Sequence, residues 1–114
     1  MVRRIELFET DTGRCPVADY IIEAERFRPE RAKIMKVFEA VENMPQLPSN
    51  IFKKLSGRGD LWEIRISQHR FLGFFHRSDS LVLVHAFTKQ SQKTPQRDIE
   101  MALGRQHAYI SRQT

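Results

Sequence analysis

A single cysteine, Cys15, excludes an internal disulfide and suits a reducing cytosol. No apolar run approaches the roughly 18–20 residues of a membrane span. The start, Met1-Val2-Arg3-Arg4-Ile5-Glu6, lacks the apolar stretch of a secretory signal, so a cytoplasmic protein is expected. There is no H-E-x-x-H and no C-x-x-C pair, and His69, His76, His85 and His107 lack metal-ligand spacing. Neither a metal nor another cofactor is expected. Gly57 and Gly59 stand in a basic stretch without the G-x-x-x-x-G-K-[ST] spacing of a nucleotide loop. Carboxylates are sparse after residue 60, which disfavours a nuclease that holds two metals with Asp and Glu. Cys15 reads as a structural thiol near a helix start.

Positive charge is plentiful, and it is unevenly spread. Residues 1–50 carry 8 Lys/Arg and 9 Asp/Glu, whereas residues 51–114 carry 11 and 5, together with all four histidines. A polyanionic partner met by the second half is one reading, and ordinary surface charge is the other. At 114 residues, 40% hydrophobic and 29% charged, the chain suits one globular domain over 1–114.

Hydrophobic spacing gives the order β-α-α-β-β-β-α. Residues 3–9 read as a strand with Ile5 and Leu7 on one face. Pro16 opens a helix with the stripe Val17, Tyr20, Ile21 and Ala24, ending near Phe27 because Arg28 precedes Pro29. Pro29 opens a second helix, with Ile34, Val37, Phe38, Val41 and Met44 as its stripe and Pro45 and Pro48 beyond it. Residues 49–60 read as a connecting segment. Three strands follow, at 61–66, 70–76 and 81–87, the last two apolar on both faces as in a sheet covered twice. Thr94 is the expected N-cap and Pro95 the first residue of a last helix. Ile99, Ala102, Leu103 and Ile110 should form its apolar side.

The second half thus offers a basic set built on strands. Arg65 and Arg70 flank a hairpin connection and can approach one another, while Lys89 and Lys93 follow the third strand. RNA cleavage suits this set, with the 2′-OH attacking the neighbouring phosphate. The protein would align the strand, stabilise added charge on the phosphate oxygens and assist proton transfer. Arg supplies a bidentate fork for phosphate and Lys a point charge. Blander readings remain. Arg65 could simply neighbour Glu63, and Lys89, Lys93 and Arg97 could be a solvated loop and helix face. His85 could be a hydrogen-bonded core histidine rather than an acid or base. Trp62 and Phe87 read as core rather than as stacking platforms.

Lys54-Leu55-Ser56-Gly57 followed by Leu61-Trp62-Glu63-Ile64-Arg65 resembles the K-L-x-G…L-[WY]-E-[LI]-R signature of HigB-like, often phage-associated, toxins of the RelE/ParE superfamily. His69-Arg70-Phe71 with Phe74-Phe75 is similar to that family's Y-R-[VI]…Y-F strand. The run from His85-Ala86-Phe87-Thr88-Lys89 to Lys93-Thr94-Pro95 is similar to its H-[GA]-F-x-K-K-x-[QR]-K-T-P segment. The opening Glu6-Leu7-Phe8-Glu9 and Pro16-Val17 also match. The resemblance implies an α+β, RelE-like fold: a small, mostly antiparallel sheet, a helical hairpin on one face and a C-terminal helix. It implies cleavage of mRNA on the ribosome and a helix-turn-helix antitoxin as partner. Arg65 and Arg70 fall on the family's basic strand positions, with Arg70 the phosphate ligand, and Lys89 and Lys93 on its post-strand lysines. Lys53, Lys54 and Arg97 would contact RNA, and His85 is the candidate for proton transfer. Gln90 and His69 depart from the common Lys/Arg and Tyr. A ParE-like gyrase poison on the same scaffold, and a non-catalytic RNA-binding relic, are the competing expectations.

Overall fold

The computed structural model describes residues 3–113. Met1 and Val2, on which the reading of the N-terminus partly rests, lie outside the described residues. The elements run β1 (Arg4–Leu7), α1 (Pro16–Glu25), α2 (Arg31–Asn43), β2 (Phe52–Lys54), β3 (Trp62–Ile66), β4 (His69–His76), β5 (Ser80–Thr88) and α3 (Gln96–Arg112). They form an α+β fold of the RelE-like kind, with one five-stranded sheet ordered β1-β5-β4-β3-β2. Only the β1–β5 pair is parallel; β2–β3, β3–β4 and β4–β5 are antiparallel.

The sheet is covered on both faces, as the continuous apolar runs of β4 and β5 require. On one face Val17, Ile21, Ile34, Phe38 and Val41 of α1 and α2 pack on Ile64, Ile66, Phe71, Leu81 and Leu83. On the other, Ile99, Ala102 and Tyr109 of α3 pack on Leu61, Leu72, Phe74, Val82 and Val84. Period-two alternation therefore assigns each strand residue to the hairpin face or the α3 face.

Several boundaries differ from the expectation. The segment 49–60 is not only a connection: it contains β2, whose three residues pair antiparallel with β3. One apolar residue and two lysines are too short a pattern for alternation to register. α1 stops at Glu25, and Phe27, beyond its end, is left 79% exposed. α2 begins at Arg31. Glu30 occupies its N-cap position, but its carboxylate turns to Ser67 and His69 instead of capping. Met44 is extended and exposed at the end of α2. Pro95, not Thr94, stands at the N-cap of α3, because the Thr94 hydroxyl donates to Glu63 Oε2 at 2.7 Å. Tyr109 is buried where Ile110 was expected, and Ile110 is 43% exposed.

A β-bulge sets what β5 presents. Leu72 pairs with His85 but Gly73 pairs with Leu83, so Val84 is the extra residue. Val84 and His85 both reach the α3 face in consequence, the first in its core and the second bonded to α3. No helix among the described residues is long and apolar enough to cross a membrane.

Candidate nucleic-acid interface

The α3 face of the sheet is only partly covered by α3, and basic side chains collect at its open end. Phe52, Ile64, Ile66 and Phe71 face the hairpin. Their neighbours Lys53, Glu63, Arg65 and Arg70 therefore fall on the α3 face. Lys53 stands opposite Glu63 across β2–β3, and Arg65 stands opposite Arg70 across β3–β4. A pocket of about 220 Å³ opens here, lined by Lys53, Arg58, Arg65, Lys93, Thr94 and others.

Glu63 is the anchor beneath this pocket. It is 1% exposed, accepts from Arg65 Nε at 2.7 Å, and accepts from Thr94 through its other oxygen. Arg70 donates through Nη1 to the backbone carbonyls of Ser67 and His69. Burial lowers its tendency to hold the proton; Glu63 opposes that shift and Arg65 adds to it. Arg70 nonetheless stays cationic at neutral pH. Arg58 reaches the pocket from the β2–β3 loop, its guanidinium held by Gln96 Oε1 at 3.0 Å.

His85 lies deeper, between β5 and α3. Its Nε2 is 2.7 Å from Asp98 Oδ1, and Arg105 Nη1 lies 3.1 Å from its Nδ1. Since guanidinium only donates, Nδ1 must accept, and Nε2–H donates to Asp98. Burial pulls the imidazole pKa below its ordinary 6.5; the Asp98 hydrogen bond opposes this and the Arg105 charge reinforces it. The ring is thus held neutral with both nitrogens engaged, and it stacks beside Phe87.

Of the expected site residues, the pocket gathers Lys53, Arg65 and Lys93, with Arg70 adjoining Arg65 across the strand pair. Lys89 is placed at the β3–β4 turn, its backbone N–H donating to Gln68 O. Lys54 falls on the other side of β2 and pairs with Asp60 at 3.3 Å. Arg97 is exposed at the start of α3, 3.9 Å from Asp98. Sequence reasoning missed Arg58, Glu63, Thr94, Asp98 and Arg105 as parts of the site. Arg58 had a signal, the basic Gly-bearing stretch; for Glu63 only the neighbouring Arg65 was one, and the Thr94–Glu63 and His85–Asp98 contacts join segments that local spacing does not bring together. Among the described residues no group of three or more His, Cys, Asp or Glu could hold a metal.

This is a small α+β protein with a RelE-like fold and a basic face. The family model of the phage-derived protein Gp49-like family (DUF891) matches residues 26–107. The chain belongs to that family, a family of RelE/HigB-like toxins of toxin–antitoxin systems, for which an antitoxin partner is the general rule. A comparison with curated proteins finds no match.

Proposed function

We propose that the chain works in the cytoplasm, as one domain, as a ribosome-dependent mRNA endonuclease neutralised by a helix-turn-helix antitoxin. The observation that carries this reading is the set of cations around one pocket: Lys53, Arg58, Arg65 and Lys93 line it, and Arg70 faces Arg65. Arg65 and Arg70 act on one another, and the carboxylate that offsets them, Glu63, is outnumbered by the cations around the pocket. A phosphate is the anion their forks fit. Arg65 and Arg70 would hold the scissile phosphate in line for attack by the adjacent 2′-OH. Lys89 and Lys93 would balance the charge that grows on its oxygens. Lys53, Arg58 and Arg97 would track the flanking backbone, and Lys54, on the other side of β2, would add to the positive field around it. His85 would act from behind, since proton transfer through it requires Asp98 or Arg105 to let go of a ring nitrogen.

The test is to map mRNA ends by primer extension in a translating bacterial extract, with and without the protein. Discrete new 5′ ends within translated codons, absent when ribosomes are withheld, are expected. Intact mRNA with a folded preparation would overturn the reading, and DNA supercoiling would become the next assay.

A further inference from the structure

The carboxylate under the pocket opposes the ligand proposed for it. Glu63 is almost fully buried, lies in register with Lys53, and acts on the Arg70 guanidinium. A negative charge there weakens the attraction of the surrounding cations for phosphate. What it supplies instead is geometry. Its Oε1 grips Arg65 by Nε at 2.7 Å, and among the described residues the two terminal nitrogens of Arg65 have no protein partner. A long side chain that would otherwise sample many rotamers is thereby aimed, fork outward, at the pocket it lines. Its Oε2 takes the Thr94 hydroxyl at 2.7 Å. Thr94 follows Lys93 directly and precedes the N-cap of α3, so the same carboxylate ties the lysine-bearing loop to β3.

We propose that Glu63 is a positioning residue: it holds Arg65 and the Lys93 loop in one geometry about the scissile phosphate, at the expense of RNA affinity. The assignment rests on the RNA-cleaving reading above. Two substitutions separate its two limbs. Glu63→Leu removes the acceptor from both Arg65 Nε–H and the Thr94 hydroxyl, whereas a Gln could turn its carbonyl to Arg65 and its amide to the Thr94 oxygen. Thr94→Val frees the loop and leaves Arg65 gripped.

The experiment is single-turnover mRNA cleavage on programmed ribosomes with both variants, together with NMR hydrogen exchange at Arg65 Nε–H. For Glu63→Leu, the rate at saturation should fall by about tenfold or more while half-saturation stays the same or moves to lower concentration. Protection of Arg65 Nε–H should be lost. Thr94→Val should slow cleavage with that protection kept, and it carries the test if Glu63→Leu fails to fold. Weaker binding with an unchanged saturating rate would overturn the proposal, as would an unchanged rate once protection is lost. If the wild type cleaves nothing, the RNA-cleaving reading fails by itself. The exchange measurement then still decides the grip, and Arg65 Nε–H protected in Glu63→Leu would overturn it.

Discussion

Arg70 is tethered by one terminal nitrogen to the Ser67 and His69 carbonyls and set against a second guanidinium on the next strand. Removing it deletes two tethering bonds of the β3–β4 turn and, on the proposed function, a phosphate contact. Arg70→Ala should therefore abolish growth arrest and slow cleavage by about 100-fold or more. The stability loss should be only about 1–3 kcal/mol, so thermal melts should still show a cooperative transition. Undiminished arrest would remove Arg70 from the site. The pairing of Arg65 with Arg70 was legible in the sequence, because a short connection between antiparallel strands brings their near ends together. Glu63 was not. Alternation marks it as an outward polar residue, and only the approach of Thr94 and α3 turns that position inside. His85 was open between core and catalysis, and its folded pKa lies below its ordinary value. Above that ordinary value the ring is neutral in both folded and unfolded states, and its hydrogen bonds contribute fully. As pH falls, the unfolded chain takes up the proton first, so stability drops until the folded ring titrates too. Melting temperature should fall between about pH 7.5 and 5.5, and His85→Gln should flatten that slope. Equal slopes in the two proteins would count against the buried neutral ring.

At the scale of elements, the β4–β5 pair decides where the site can be. The bulge at Val84 puts two consecutive side chains on the α3 face. Gly73 beside it permits the close approach: a Cβ there would lie 2.5 Å from Val82 O and 2.8 Å from Leu83 Cδ2. Backbone cannot yield cheaply inside a covered sheet. Gly73→Ala should cost about 1–3 kcal/mol, read as a lower denaturant midpoint at unchanged slope, and activity should fall because His85 shifts with the bulge. A variant as stable as the wild type would show that the strands slide freely past one another. Prolines made the starts of α1 and α2 legible to within about two residues. β2 was not legible, because it is held by pairing with β3 and not by a pattern of its own. The start of α3 was misplaced for a related reason: the Thr94 hydroxyl has a better partner in a buried carboxylate than in the helix backbone. Such long-range competition leaves no trace in local spacing.

For the molecule as a whole, charge and topology divide the labour. The helices that cover the hairpin face come from residues before 50, where charge nearly balances, whereas β2 to α3 carry the positive excess. The asymmetry was visible in the bare sequence; that it converges on one open end of one face depends on strand order, which was not. If five cations (Lys53, Arg58, Arg65, Arg70 and Lys93) each neutralise one phosphate, RNA affinity should fall with salt at a log–log slope of about −3 to −4, given about −0.7 per contact for a single strand. Removing one contact should then reduce the slope by about 0.7 without changing which sequences bind. Lys53→Ala and Arg58→Ala are the informative variants, since both side chains line the pocket and neither takes part in the Arg65–Glu63 bond. Arg14→Ala is the control, since Arg14 is exposed in the first half and paired with Asp19. Filter binding or fluorescence anisotropy across a salt series reads all four proteins. A steep wild-type slope that drops for the two pocket variants and not for the control would locate the polyanion on this face. A flat slope, or an equal drop for Arg14→Ala, would mean that the positive charge acts diffusely and that the pocket is no RNA track.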